Sequence, residues 1–373
     1  MECTPLSVAK QRIKIGSPLP FNIRHADGTL LLARGQLIQT ESQLAALMER
    51  GALVDSEELK TLRSEALDAP LERLPGLWNE GMDRVGRTLK SSITVDFQVS
   101  LEETARPILA LLERDPDLAI FQVLRQETAG KHHYGVSHSV HAAIASFLVA
   151  QRLGWDADKK MCAFKAALTM NLSMLELQAR LSTQLTAPIQ SQRDAISDHP
   201  QRSREMLEAS GVTDKDWLEG VSQHHEIAGG TGYPNKLHVV SDIADLLRRV
   251  DIYTAKLAGR ISRGALAANE AGRSIFLQDQ GHPVASAIIK EFGIYPPGCF
   301  VKLVSGEAGV VVKRGPNANT PLIAALTNRD GVGLMEPVRR NTAVREYAIV
   351  GIISEKSIKV RVSPEKLVVL ANG

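Results

Sequence analysis

Helical periodicity from residue 100 to about residue 290 is the feature that most constrains the fold of this 373-residue chain. Apolar side chains recur there at a spacing of three to four residues, for example at Val136, Val140 and Ile144. Such a spacing is typical of a helix with one apolar face. Ala142, Ala145 and Val149 lie on the opposite side, and a helix that is apolar all round is usually buried. The sequence therefore predicts a mainly α fold around a helical bundle.

The two ends of the chain show different patterns. Near the N-terminus, a turn at Gly28 between apolar runs predicts a β-hairpin, and Thr40 with Gln43 predicts the capped start of a helix. Residues 55–79 are polar, contain two prolines and are interpreted as a connector. In the last eighty residues, β-branched runs around polar turns predict strands, among them residues 300–304, 309–312, 347–353 and 358–362. We predict three domains: a small mixed N-terminal module with the connector (1–95), a helical domain (96–290) and a β-rich C-terminal extension (291–373).

Composition excludes several classes of protein. Lys and Arg total 44 against 42 Asp and Glu, and aromatic residues are 4%, so neither charge nor base stacking favours a dedicated binder of nucleic acid polymers. The three cysteines lie far apart and form neither a disulfide framework nor a CxxC metal site, which indicates a reducing compartment. Residues 1–18 lack the apolar core of a signal peptide, and the most apolar stretch, 142–150, is shorter than the ~20 residues that cross a bilayer. We expect a soluble, cytoplasmic protein without membrane insertion.

Histidines are concentrated in the helical segment, which holds eight of the ten between residues 132 and 238. Imidazole is a common ligand of transition metals, and helices of a bundle bring such ligands together in its core. His138, His199, the pair His224-His225 and the apolar-flanked Asp251 are candidate ligands. Each of them taken alone is also compatible with an ordinary core or surface residue, and adjacent helix positions point about 100° apart, which disfavours both histidines of a pair on one metal.

The sequence HHE at residues 224–226 is followed, after three residues, by GTGYP at residues 230–234. Its glycines and proline predict a tight turn that ends a helix. The combination resembles the signature of the HD-GYP family, helical HD-superfamily phosphodiesterases that hydrolyse the bacterial second messenger cyclic di-GMP. The resemblance covers roughly residues 125–290 and implies an HD-superfamily helical bundle. With the patterns at the two ends of the chain, the predicted fold is this bundle with a small N-terminal α/β module and a small β-rich C-terminal extension.

The resemblance also assigns roles to individual residues. It implies metal binding by His138, His199, His224, His225 and Asp251. It implies ligand binding by Gly232, Tyr233 and Pro234 of the loop, and by two arginines in the positions that grip the substrate phosphates, Arg260 and Arg263. Bidentate arginine suits that role because its planar fork matches a phosphate group.

The chain differs from the family at the His-Asp pair after which the family is named. Where the family has HDIGK, this chain has MNLSM, so that Met170 and Asn171 replace the His-Asp pair and Met174 replaces the lysine. An asparagine amide is neutral and bridges two cations poorly, and a thioether is too soft for iron, manganese or magnesium. Gly229 replaces the usual aspartate, and Tyr134 stands where some members have a glutamate ligand. We therefore expect hydrolysis to be lost or vestigial, and we assign no catalytic residue.

The chain keeps the GTGYP loop and several histidines but lacks the His-Asp pair, and three hypotheses about its function follow from this. The leading hypothesis is a catalytically degenerate HD-GYP protein that acts as a receptor for cyclic di-GMP or a related nucleotide, or as a protein-interaction module, in bacterial signalling. The alternative is an active metal-dependent phosphohydrolase, a cyclic di-GMP phosphodiesterase with an altered metal site. A third hypothesis is a scaffold for a GGDEF-domain or other signalling protein. The cofactor implied is one transition-metal ion, iron or manganese, or none.

Overall fold

The computed structural model of the chain describes residues 3–55, 62–91, 97–125, 133–258, 266–279 and 281–373. The chain divides into two compact units, residues 1–68 and 69–373. Their helices and strands confirm the predicted fold class, which is mainly α with a small sheet near each end. No helix in the described part of the chain is long and apolar enough to cross a membrane.

The first unit is a small antiparallel sheet with helices. Its sheet has the strand order β1-β4-β2-β3, and Phe21, Ile23 and Val54 lie in its core. Its elements are strands β1 (Cys3–Pro5), β2 (Ile23–Arg24), β3 (Leu30–Leu32) and β4 (Leu53–Asp55), and helices α1 (Glu41–Glu49) and α2 (Leu62–Asp68). The predicted hairpin is confirmed as β2 and β3, and the predicted cap is confirmed because the Thr40 side chain accepts a hydrogen bond from the backbone N–H of Gln43.

The helical part of the second unit is a bundle around a long buried helix. Its helices are α3 (Leu74–Lys90), α4 (Phe97–Arg114), α5 (Pro116–Leu124), α6 (Tyr134–Arg152), α7 (Ala157–Thr169), α8 (Leu175–Thr183), α9 (Gln190–Ala209), α10 (Lys215–Gln223), α11 (Asp242–Leu257), α12 (Ala268–Asp279) and α13 (Pro283–Phe292). Helix α6 is buried along almost its whole length and packs against α7 and α11. Because apolar residues cover both of its sides, it occupies the centre of the bundle, as its sequence predicted.

The predicted connector at residues 55–79 is wrong where the chain is helical, at α2 and from Leu74 onward. Residues 74–79 begin helix α3, whose buried face includes Leu77 and Trp78 and packs against α4. Pro75 lies in the first turn of this helix, where the missing N–H of proline costs no hydrogen bond. Helix α3 belongs to the second unit, whereas the sequence assigned it to the N-terminal module; the domain boundaries proposed from the sequence otherwise stay predictions.

The C-terminal part of the second unit carries a five-stranded antiparallel sheet of order β8-β7-β6-β5-β9. Its strands are β5 (Phe300–Leu303), β6 (Ala308–Lys313), β7 (Leu322–Thr327), β8 (Gly333–Asn341) and β9 (Ile349–Ile352), and helix α14 (Pro364–Asn372) packs on it. The hairpin predicted at residues 300–312 is confirmed as β5 and β6. The strand predicted at residues 358–362 is wrong, because this segment is irregular and leads into α14.

Candidate metal centre

His199 and His224 face each other inside the bundle. His199 lies on α9 and His224 is the C-cap residue directly after α10, and both are buried. Each ring is fixed by a hydrogen bond of 2.6 Å from Nδ1 to a backbone carbonyl, that of Ile196 for His199 and that of Val221 for His224. A carbonyl oxygen only accepts, so Nδ1 carries the proton in both rings and Nε2 is left with its lone pair. The two Nε2 atoms are 3.0 Å apart.

The lone pairs of these two nitrogen atoms face each other, and a cation between them would stabilise this arrangement. Burial, the strongest cause, lowers the pKa of His199 to about 3 and also lowers that of His224. Both imidazoles are therefore neutral near pH 7, which is the form that binds metals. The two imidazoles thus have the protonation state and the ring orientation of ligands to a transition metal.

His225 completes this cluster. Ligand atoms of His199, His224 and His225 lie within 4.8 Å of one another, and burial again lowers the pKa of His225. Neighbouring histidines were expected to diverge, as they do in a helix. Helix α10, however, ends at Gln223, so the chain changes direction at His224 and both rings reach the same site. The ring of His225 is in turn stacked on Tyr233 of the GTGYP loop, 4.6 Å between centroids.

The other two candidate ligands, His138 and Asp251, contact each other. His138 Nε2 and Asp251 Oδ1 are 2.7 Å apart, joining α6 to α11. Burial raises the pKa of Asp251, but the hydrogen bond from His138 outweighs it, and the pKa ends below its ordinary value. Asp251 is therefore an ionised carboxylate beside the histidine cluster. It supplies the negative charge that a bound cation needs.

The MNLSM turn lies against the same cluster. Ser173 Oγ donates to the backbone carbonyl of His199, and its backbone N–H donates to Ser203 on the same helix. Met170, Asn171 and Met174 are all buried. Among the described residues, the amide nitrogen of Asn171 has no hydrogen-bond partner. A buried donor without a partner is unfavourable, and an amide N–H₂ cannot bind a cation.

The GTGYP loop is fixed by Glu226, which sequence reasoning noted only as part of the motif. Its carboxylate is buried and accepts the backbone N–H groups of Asn235 at 2.6 Å and Leu237 at 3.0 Å. A Cβ at Gly232 would lie 2.4 Å from the backbone nitrogen of Ile227, so only glycine fits this close approach. The loop is thereby held beside His225 by buried backbone contacts.

Arg248 is a second residue that the sequence did not single out. It precedes Asp251 by three positions on α11, and residues at this spacing share a helix face. Its guanidinium lies 3.4 Å from both oxygens of Asp279, and its Nε is buried without a partner among the described residues. The pKa of His225, lowered mainly by burial, is lowered further by the charge of Arg248. The charge of Arg248 therefore acts electrostatically on the histidine cluster.

Two predicted ligand-binding residues, Arg260 and Arg263, lie outside the described residues. Tyr134, at the position of the extra glutamate ligand, stacks parallel to the ring of His138, 6.1 Å between centroids. A phenol at this position contributes packing where a glutamate would contribute charge.

The chain is similar to several known proteins of the HD-domain type. A family model of the HD domain matches residues 123–281. The cyclic di-GMP phosphodiesterase PA4108 of Pseudomonas aeruginosa is 27% identical over 246 residues, which are 64% of this chain and 57% of that protein. The fold is similar to that of Bd1817, an HDG"Y"P protein from Bdellovibrio bacteriovorus, with a TM-score of 0.50, 16% identity and coverage of 78% of this chain and 98% of that one. The chain is therefore similar to HD-domain proteins over residues 123–281, and its fold is similar to that of an HD-GYP protein.

HD-domain phosphohydrolases typically use divalent metals, and the residues of this chain fit one such ion. His199, His224 and His225 would hold it, because their three neutral imidazoles converge. They do not fit a binuclear centre bridged at position 171, because Asn171 offers neither a negative charge nor a second donor oxygen. The donor set is therefore that of a mononuclear site.

Removal of His224 tests the mononuclear site. We expect the purified chain to carry about one equivalent of transition metal, and His224→Ala to lower metal affinity at least tenfold, because one of three converging ligands is lost. His25→Ala is the matched control, since His25 is an exposed histidine of the first unit that pairs with Asp27. Elemental analysis and metal titration measure both. Two equivalents in the native chain, or unchanged affinity in His224→Ala, would contradict the assignment.

Proposed function

We propose that the chain is a catalytically degenerate HD-GYP-like protein that acts as a cyclic di-GMP receptor or protein-interaction module in bacterial signalling. The observation that carries the proposal is the buried Asn171 at the position of the family's aspartate, together with the converging ligand atoms of His199, His224 and His225. A bridging carboxylate holds two metals so that one activates water and both stabilise the charge of the transition state. A neutral amide does not do this. The ligand class comes from the relative PA4108, which is named as a cyclic di-GMP phosphodiesterase.

The cofactor we propose is one ion of iron or manganese at the three histidines. When bound, such an ion acts as a Lewis acid toward a phosphate oxygen. The chain's own groups prepare the site: backbone carbonyls fix the proton of His199 and His224 on Nδ1, and His138 holds Asp251 ionised. These groups orient the histidines that would hold one ion, but the neutral Asn171 would leave a second cation without a carboxylate bridge.

Retention of the ligand-binding parts supports a receptor. Glu226 fixes the GTGYP loop through two backbone N–H groups, Tyr233 stacks on His225, and the charge of Arg248 acts on His225. Phosphate recognition depends on cationic donors such as arginine and does not require turnover. The site is therefore expected to bind a cyclic dinucleotide that it does not cleave.

A turnover assay with a binding assay tests this function. We expect calorimetry to show binding of cyclic di-GMP, and we expect no release of linear product with added Mn²⁺. Turnover of cyclic di-GMP or of its linear form that is abolished by His224→Ala would overturn the degenerate function. It would support the second candidate, an active phosphohydrolase with an altered metal site, which the facing Nε2 atoms of His199 and His224 favour. No heat at high micromolar ligand would instead favour a scaffold for a GGDEF-domain or other signalling protein.

Loss of Arg248 is expected to weaken binding of cyclic di-GMP by about 10- to 100-fold. This corresponds to about 1.5–3 kcal/mol, the range for a hydrogen bond to a charged group. We expect Arg260→Ala to have an effect in the same range. Arg204→Ala is the control, because Arg204 forms only an exposed ion pair with Glu208 on α9. Calorimetry measures all three, and unchanged affinity in Arg248→Ala would show that the phosphates lie elsewhere.

A further inference from the structure

A large cavity lies at the other end of helix α6 from the histidines. Its volume is about 630 Å³, within the range of small-molecule sites, roughly 300–1,000 Å³. The end of α6, the end of α13 and the loop after β6 form its walls. Arg152 in its wall is about 21 Å along α6 from His138, at ~1.5 Å per residue. The cavity is therefore separate from the metal centre.

Positive charge predominates in the lining. Arg152, Lys290 and Arg314 contribute cations, and Glu291 contributes the carboxylate among the lining residues. The neutral amides of Gln151 and Asn317 add further hydrogen-bonding groups. An arrangement of several cations around a polar cavity favours a multiply charged anion over an apolar or a cationic ligand.

A buried acid holds the two arginines in place. Glu291 is 6% exposed. Its carboxylate accepts hydrogen bonds from Nε of Arg152 and, at 2.6 Å, from Nη1 of Arg314. Arg314 also donates through Nε to Asp117 on α5. Because Arg152 uses Nε for Glu291, its two terminal nitrogens remain for a ligand. Guanidinium groups oriented in advance lose little freedom on binding.

The attachment of the sheet to the helices does not explain this whole cluster. Arg314 alone joins the loop after β6 to α5 and α13, through Asp117 and Glu291. Arg152 lies in the helical part together with Glu291 and makes no contact with the sheet through that pair, and the exposed Lys290 is not part of it. Arg152 and Lys290 thus line the cavity without taking part in the attachment of the sheet to the helices.

We propose that this cavity binds a phosphate-bearing anion of nucleotide size, with Arg152 and Lys290 holding the phosphate groups. Arginine binds phosphate with two parallel N–H···O bonds and lysine binds it as a point charge. The cavity volume accommodates a nucleoside diphosphate. The proposal is independent of the metal centre and of cyclic di-GMP.

Calorimetry with the full chain tests the site, with adenosine diphosphate and guanosine diphosphate as probes. We expect micromolar binding of a diphosphate that is unchanged in His224→Ala, and at least a tenfold loss of affinity in Arg152→Ala. Lys290→Glu gives a second test, because Lys290 is exposed and its replacement does not disturb the core. Arg204→Ala serves as the control for a lost surface charge, and thermal unfolding checks that each variant is folded.

Two further probes, tripolyphosphate and adenosine, show which part of the ligand the cavity recognises. If tripolyphosphate binds as tightly as a nucleoside diphosphate, the site recognises the phosphate chain alone. If one of the two nucleotides binds more tightly than the other, the site also recognises the base. Adenosine that binds as tightly as its diphosphate would overturn the proposal. No heat with any phosphate probe at millimolar concentration, or equal affinity in native, Arg152→Ala and Lys290→Glu chains, would overturn it as well.

Discussion

The double variant Met170→His, Asn171→Asp is expected to carry two metal ions per chain and to gain turnover of cyclic di-GMP. Aspartate is isosteric with asparagine and supplies the charge that a pair of cations shares, while histidine adds a nitrogen donor. The turn is already held against α9 by Ser173. A second metal contributes several kcal/mol of transition-state stabilisation. At ~1.36 kcal/mol for each tenfold in rate, we expect an increase of about 10²- to 10⁴-fold.

Met170→His alone is the matched control for this result. It adds the imidazole without the bridging carboxylate, so we expect it to keep about one metal and the turnover of the native chain. Elemental analysis gives the metal content, and chromatography of the linear product gives the rate. If the control gained as much turnover as the double variant, the missing charge at Asn171 would not be the reason for inactivity. If the native chain already matched the double variant in metal content, the mononuclear assignment would fail.

The sequence predicted the features that depend on local spacing. The cap at Thr40, the hairpin of β2 and β3 and the buried helix α6 each follow from residues within one element, and each is confirmed. Pro75 was misinterpreted because a proline in the first turn of a helix and a proline in a linker look alike when the packing partner is unknown. The buried face of α3 becomes evident only when α4 lies beside it.

The site depended on contacts that no local pattern contains. His138 and Asp251 are 113 positions apart in the chain and yet share a hydrogen bond. In the sequence, Arg248 is one of many charged residues in helices. Its position on the same face of α11 as Asp251 is evident only from the structure. Convergence of His224 and His225 required the end of α10 at Gln223. One available signal was overlooked: Glu226 lies within three residues of a glycine-rich loop, where backbone N–H groups need acceptors.

The variant Gly232→Ala is expected to destabilise the chain by about 2–3 kcal/mol and to abolish nucleotide binding. The added Cβ would lie 2.4 Å from Ile227 N and 2.5 Å from Glu226 Cα, and both are backbone atoms that cannot rotate away. Overpacking of this kind costs about 1–3 kcal/mol and occasionally more. Relief of the clash moves the chain at Glu226, whose carboxylate fixes the loop, and it also moves the adjacent His225.

The same substitution at Gly76 separates this clash from the general effect of removing a glycine. Gly76 lies in helix α3, and a Cβ there meets its nearest neighbour, Nη1 of Arg73, only at 4.0 Å. Gly76→Ala is therefore expected to raise stability by about 0.5–1 kcal/mol, since alanine has the better helix propensity. Denaturant unfolding and calorimetry with cyclic di-GMP measure both variants. Equal stability and equal affinity in Gly232→Ala and the native chain would mean that the loop does not approach Glu226 as closely as described, and its role in positioning His225 would be lost with it.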